Sequence, residues 1–289
     1  MKVLVVAFDG MDYELMKKFD LDNIPQEHFD TFDNKRGMKT VITCELFVSM
    51  ITGKTHEEHG VVGIKTEITS GWRSKVADIL APEWARNNIR GFHRFGRLLD
   101  TVLERKERHY LKEDYNIDTL FEKIDGSRAL FVPGYNTSEM VVAKAYGRLM
   151  NYGYSFDEKQ KAYERFGFRA RKQELFDDMK RIGARPLLFA HFHSPDMMQH
   201  KYGDTTLDTY DEKEMRRKYM ELDNLAGDIK EKAEEAGYDV IIFFSDHGRP
   251  YPSGEHNQHA MYSSNFPLFD DVDNPHITDF HDVILDFMD

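Results

Sequence analysis

Tyr238-Asp239-Val240-Ile241-Ile242-Phe243-Phe244-Ser245-Asp246-His247-Gly248 is the stretch from which the rest of the chain can be read. Its apolar run, Val240 to Phe244, is bounded by turn residues and stops at a polar cluster. A short continuous run of this kind reads as a strand buried on both faces. A carboxylate, an imidazole and a glycine follow it in succession.

The pattern recurs. Val3-Leu4-Val5-Val6-Ala7-Phe8 runs into Asp9-Gly10. Pro186-Leu187-Leu188-Phe189-Ala190-His191-Phe192 is followed by Asp196, with His200 four residues on. One aspartate after a strand is weak evidence, because Asp is a common turn and cap residue. Three such aspartates, two with a His nearby, point to a shared metal site. Its place would be the crevice outside the carboxyl ends of the strands, where open parallel α/β sheets bind ligands.

Helical patterns separate these strands. They cover 12–19, a segment opening at Thr43 with Leu46, Phe47, Met50 and Ile51 on its apolar face and Gly53 at its end, then 138–151, 157–182, 211–236 and 277–288. Residues 20–37 read as loop, Met38 to Ile42 as a short strand, and 128–132 as a strand ended by Pro133-Gly134. Strands alternating with helices give an α/β fold with a mostly parallel central sheet and helices on both faces.

The 289 residues read as one catalytic domain, 1–289, with an insertion over 65–126 that is expected to form a helical lid. Its basic stretch, 73–108, reads either as a solvated surface or as a contact for substrate phosphate. The net charge of -12 repels nucleic acid and leaves a small-molecule substrate as the expected partner. The single cysteine, Cys44, rules out an internal disulfide and reads as a small buried neighbour of Thr43. The apolar run near the N-terminus is too short for a signal peptide, and no stretch has the length of a membrane span, so no membrane contact and a cytoplasmic location are expected.

Asp196 and His200, four apart, would share one face of a helix. Asp246 and His247 are adjacent and need a loop to converge on one ion. His256, after Gly254-Glu255, adds another imidazole, with His259 as its competitor. Mixed carboxylate and imidazole ligands suit zinc, manganese or iron better than calcium. Two clusters suggest two ions, and two ions suit phosphoryl transfer. Taken singly, Thr43 reads as an N-cap, Asp9 equally as a turn residue or a ligand, and Asp196 with His200 more as ligands than as a solvated helix pair. His59 reads as structural, and His191 or His193 as a partner that orients a ligand.

Together these segments resemble the alkaline phosphatase superfamily, and within it the nucleotide pyrophosphatase/phosphodiesterase branch. The resemblance rests on Phe8-Asp9-Gly10, on Thr43 through Thr52-Gly53 and His59-Gly60, on Ser194-Pro195-Asp196 through His200 to Gly203, on Ser245-Asp246-His247-Gly248, and on Gly254-Glu255-His256. It implies a metal-dependent phosphoester hydrolase, a phosphodiesterase or nucleotide pyrophosphatase, with Thr43 as nucleophile. Two divalent ions, zinc or manganese, are implied: one on Asp9, Thr43, Asp246 and His247, the other on Asp196, His200 and His256. The sequence departs from the branch at Leu46, where an Asn usually stands. A phosphomonoesterase of the same superfamily is the nearest alternative, and a silent metal- or nucleotide-binding protein is the alternative from another class.

Overall fold

The computed structural model describes residues 1–63, 65–67, 107–136, 167–202, 211–250, 256–269 and 272–288. A six-stranded sheet contains β1 (Val3–Phe8), β2 (His28–Thr31), β5 (Arg128–Leu130), β6 (Leu187–Phe192), β7 (Val240–Ser245) and β8 (Met261–Ser264), in the order β2-β8-β7-β1-β6-β5. The four strands β7, β1, β6 and β5 are parallel. β8 runs antiparallel to β7, and β2 antiparallel to β8. The described helices are α1 (Tyr13–Phe19), α2 (Thr43–Thr52), α3 (His56–His59), α4 (Leu120–Lys123), α5 (Arg169–Ile182), α6 (Asp196–Tyr202), α7 (Glu212–Ala236) and α8 (Asp279–Asp286). None is long and apolar enough to cross a membrane.

Side chains alternate along a strand, so β1 serves two cores. Leu4, Val6 and Phe8 pack with Leu15, Leu175 and Tyr219 of α1, α5 and α7. Val3, Val5 and Ala7 pack with Phe47, Leu120 and Phe280 of α2, α4 and α8. Fully burying an aliphatic or Phe side chain stabilises the fold by about 1.5–3 kcal/mol. α7 shows how sequence writes such a helix. Asp211 caps it by accepting from the Glu214 N–H at 3.1 Å, Gly237 ends it in a left-handed conformation, and the Met215, Tyr219, Leu222, Ala226 and Ile229 stripe is buried.

Three local expectations are corrected. Met38 to Ile42 is not a strand: the Lys39 and Thr40 N–H groups donate to the Glu45 carboxylate, so no ladder partner takes them. The strand lies earlier, at β2, inside the expected loop. It holds one large apolar residue, Phe29, and sits at the sheet edge, so pairing rather than composition makes it a strand. β8 went unforeseen because half of it is serine; Ser263 is buried, and its hydroxyl donates to the Ile24 carbonyl at 2.6 Å. β5 also stops short of the expected 132, because Phe131 turns to a left-handed φ of 62°.

The chain divides into two compact units, 1–63 with 111–289, and 64–110. Within the second, β3 (Lys65–Glu67) pairs antiparallel with β4 (Glu107–His109). Leu120 and Ile124, from the segment expected as insertion, pack in the core of the first unit. Most of the basic stretch, the 138–151 helix, the start of the 157–182 helix, Gly203 and Gly254-Glu255 lie outside the described residues.

Candidate active site and metal centre

β1, β6 and β7 end in register, Phe8 beside Phe192 and Ala7 beside Phe244. Asp9, Asp196 and Asp246 therefore leave the same edge of the sheet. The post-strand loops are tied: the Asp9 N–H donates to the Phe192 carbonyl and the Asp196 N–H to the Asp9 carbonyl, each at 3.0 Å.

Around Asp9 the side chains converge. His247 Nε2 lies 3.2 Å from Asp9 Oδ1 and 3.4 Å from Asp246 Oδ2. The Thr43 hydroxyl is 3.4 Å from Asp9 Oδ1 and 3.2 Å from His247 Nε2. Thr43 is the first residue of α2, following Ile42 as the cap, and Gly53 closes that helix with a φ of 67°. The hydroxyl thus stands at a helix N-terminus without being spent as the cap.

Around Asp196 a second group forms. Its Oδ1 lies 3.4 Å from His200 Nε2 and 3.3 Å from His256 Nε2, and the two imidazole nitrogens are 3.4 Å apart. The His256 ring stacks on His247 with centroids 3.8 Å apart, so the groups adjoin. Ligand atoms of Asp196, His200 and His256 lie within 4.8 Å of one another, as do those of Asp9, Asp196 and His247. Asp196 belongs to both sets. His259 stands apart, 3.4 Å from Asp12.

These residues fit a divalent cation. Both carboxylate oxygens of Asp246 and Oδ1 of Asp196 are buried without a hydrogen-bond partner among the described residues. The imidazoles beside them stand 3.3–3.4 Å away without donating, and a buried carboxylate short of donors is costly, a cost that a coordinated ion removes. His256 Nδ1 is 3.1 Å from the Val41 carbonyl and His247 Nδ1 is 2.8 Å from the Gly248 carbonyl. A carbonyl can only accept, so Nδ1 carries hydrogen in both rings and Nε2 faces the site.

The ionisation states show the same strain. Burial, reinforced by Asp9 and Asp196, pushes the Asp246 carboxyl up to about 8. Burial opposes charge on His247, but Asp246 and Asp9 outweigh it and raise the imidazole to about 10. Burial also opposes ionisation of Asp9, yet His193 and hydrogen bonds with His191 and His247 hold it well below the ordinary carboxylate range. The imidazoles supply the positive charge that this cluster of carboxylates demands.

His191 Nε2 is 3.2 Å from Asp9 Oδ2 and His193 Nε2 is 3.1 Å from Asp196 Oδ2, so each flanks one carboxylate. His59 lies 2.8 Å from the Ser49 hydroxyl and accepts from the Val61 N–H, which ties down the turn behind α2. Cys44 is buried. Leu46 is fully buried in the core. Sequence reasoning missed Glu45, whose carboxylate organises the 39–40 turn beside Val41. It lies with Ser49 and Thr52 opposite the Leu46, Phe47, Met50 and Ile51 stripe, so the sequence pattern did not mark it. Sequence reasoning also missed the polar residues behind the ligand loops, Gln199 and Asn257, which carry no motif.

A search of curated proteins finds no match. Among solved structures, murine ectonucleotide pyrophosphatase / phosphodiesterase 5 aligns at 16% identity with a TM-score of 0.45. An inactive form of that murine protein in complex with AMP aligns at 15% and 0.45, and the human protein of the same name at 14% and 0.44. Each alignment covers 86% of this chain and 57% of the other, so the chain spans little more than half the length of those proteins. The family model described as type I phosphodiesterase / nucleotide pyrophosphatase matches residues 3–262, most of the sequence. The chain belongs to the type I phosphodiesterase / nucleotide pyrophosphatase family.

Proposed function

We propose that this chain is a divalent-metal-dependent phosphoester hydrolase acting on phosphodiesters or nucleotide pyrophosphates, with Thr43 as nucleophile. Family membership supports the reaction class. The observation that carries the rest is the Thr43 hydroxyl at the start of α2, within 3.4 Å of Asp9 and of His247, whose Nε2 also lies 3.4 Å from the Asp246 carboxylate. Asp9, Asp246, His247 and Thr43 would hold one ion, and Asp196, His200 and His256 the other, zinc or manganese in each. Bound there, the ions supply Lewis acidity that neutralises charge on the reacting oxygens.

The chain's own residues then have distinct tasks. The Thr43 hydroxyl is a weak nucleophile at neutral pH, and the α2 N-terminus favours its alkoxide. Thr43 Oγ1 attacks phosphorus, the bond to the leaving oxygen breaks and that oxygen departs with a proton, and the phosphate, still carrying the other ester substituent, stays bonded to Thr43. Water then cleaves the P–O bond to Thr43 and restores the hydroxyl. His191 and His193 orient the Asp9 and Asp196 carboxylates through their ring nitrogens. The 65–126 insertion is proposed to select the substrate.

The test pairs metal analysis with nitrophenyl phosphate monoesters and diesters. Hydrolysis of the diester that stops with a chelator, and the mass of the phosphate with its remaining ester group on the Thr43 peptide, are the expected results. Turnover by metal-free protein would reject the proposal, and a strong preference for monoesters would favour the phosphomonoesterase reading.

A further inference from the structure

Behind the ligand side chains lies a buried polar knot that none of the family motifs includes. At its centre is Asp12, fully buried. Its Oδ1 accepts from the Leu15 N–H at 3.1 Å and caps α1. Its Oδ2 accepts from Asn257 Nδ2 at 2.8 Å and from the Arg249 N–H at 3.3 Å, with the Arg249 Nε 3.4 Å away. Its own N–H donates to the Tyr219 hydroxyl at 2.9 Å. That hydroxyl also accepts from Gln199 Nε2 at 2.7 Å, and Gln199 reaches the Gly10 carbonyl at 2.6 Å.

Each partner neighbours a candidate ligand in sequence. Asp12 follows Asp9, Arg249 follows Asp246-His247, Asn257 follows His256, and Gln199 precedes His200. The 248–249 and 257 backbones also pair, Gly248 N–H to the Asn257 carbonyl at 3.2 Å and Asn257 N–H to the Arg249 carbonyl at 2.9 Å. A Cβ on Gly248 would overlap the Asn257 carboxamide, so glycine permits this approach. The Asp12 carboxylate therefore joins its own segment to the Arg249 and Asn257 segments, and its backbone N–H reaches Gln199 on α6 through the Tyr219 hydroxyl.

We infer that Asp12 is a positioning residue whose carboxylate holds the two ligand sets in fixed relation, by clamping the segments that carry Asp9, His247 and His256 from behind. The inference rests on the proposed metal site. A buried carboxylate with several donors specifies geometry strongly, because any displacement leaves a buried polar group unpaired. Partners behind the ligands commonly govern metal affinity in this way.

The experiment uses Co2+ alone as probe, read by its d–d absorption and by titration, on the wild-type chain and three variants. Asp12→Asn keeps the helix cap but sets amide against amide at Asn257. Asn257→Ala cuts the same link with no change of charge and leaves the cap intact. The double variant Asp12→Asn with Asn257→Asp restores one carboxylate–amide pair. Each single variant is expected to bind Co2+ about tenfold more weakly with an altered spectrum. The exchanged pair should recover most of both. A merely structural role would lower thermal stability and leave the spectrum of the folded fraction unchanged, and that result overturns the inference. So does an exchanged pair that recovers nothing. If Asp12→Asn does not fold, Asn257→Ala decides alone. A wild-type chain that takes up no Co2+ overturns the metal reading itself, and this inference falls with it.

Discussion

Asp9, Asp246 and His247 leave the central strands directly and have no exposed side-chain surface. His200 rides on the second turn of the short helix α6 with 38% of its side chain exposed, and His256 comes from a loop. One half of the site is thus set by the sheet, and the other is assembled from peripheral elements. The first half carries the proposed nucleophile, Thr43; in the second, His200 is open to water while Asp196 and His256 are nearly buried.

The largest effect should come from the sheet-built half. Thr43→Ala is expected to lower turnover by several orders of magnitude, the scale on which nucleophiles act elsewhere, while metal content stays near wild type. Thr43→Ser should keep partial activity. Near-normal activity in Thr43→Ala, measured on a nitrophenyl diester, would remove the nucleophile from the buried half.

A smaller effect separates the halves. Asp246→Ala should weaken metal binding by about 100-fold, with no recovery in excess metal, because nothing fills a buried ligand position. His200→Ala should lose only about tenfold and recover with added metal, because water reaches the vacated position. Equal losses with equal recovery in a metal titration would erase the distinction.

Glu45 links the halves, since its carboxylate orders the turn before Val41, whose carbonyl meets His256 Nδ1. Glu45→Gln sets an amide N–H2 near backbone N–H groups. It should cut kcat by about tenfold, with Glu45→Asp recovering part of the loss. An unchanged kcat would mean that the halves are aligned without this turn.

The smallest effect is on stability. Burial lowers the His59 imidazole to about 4, below its ordinary 6.5. Between those values the unfolded chain binds the extra proton, so stability is complete above about 6.5 and is lost as the pH falls toward 4. The unfolding temperature should drop by a few degrees across that window, and His59→Gln should flatten the slope. A slope unchanged in that variant would assign the acid sensitivity to other groups.

The sheet-built half was legible from sequence for a simple reason. A strand buried on both faces must be continuously apolar, so Val3–Phe8, Leu187–Phe192 and Val240–Phe244 announce themselves, and a ligand just past each end is fixed by one peptide bond or a few. Thr43 at the start of α2 and the closing Gly53 were equally local.

What sequence could not decide depended on partners far along the chain. β2 and β8 are strands because each pairs with a neighbour across the sheet, and their serines and His28 carry no apolar signal. Met38 to Ile42 looks like a strand until the Glu45 carboxylate takes its backbone donors. Between His256 and His259, sequence could state only a preference; the Val41 carbonyl and the Asp12 carboxylate turn one ring toward Asp196 and the other away from it. Local composition determined which residues could be ligands. Hydrogen bonds between segments hundreds of residues apart decided which of them meet, because a donor in a buried loop must find its acceptor wherever the fold provides one.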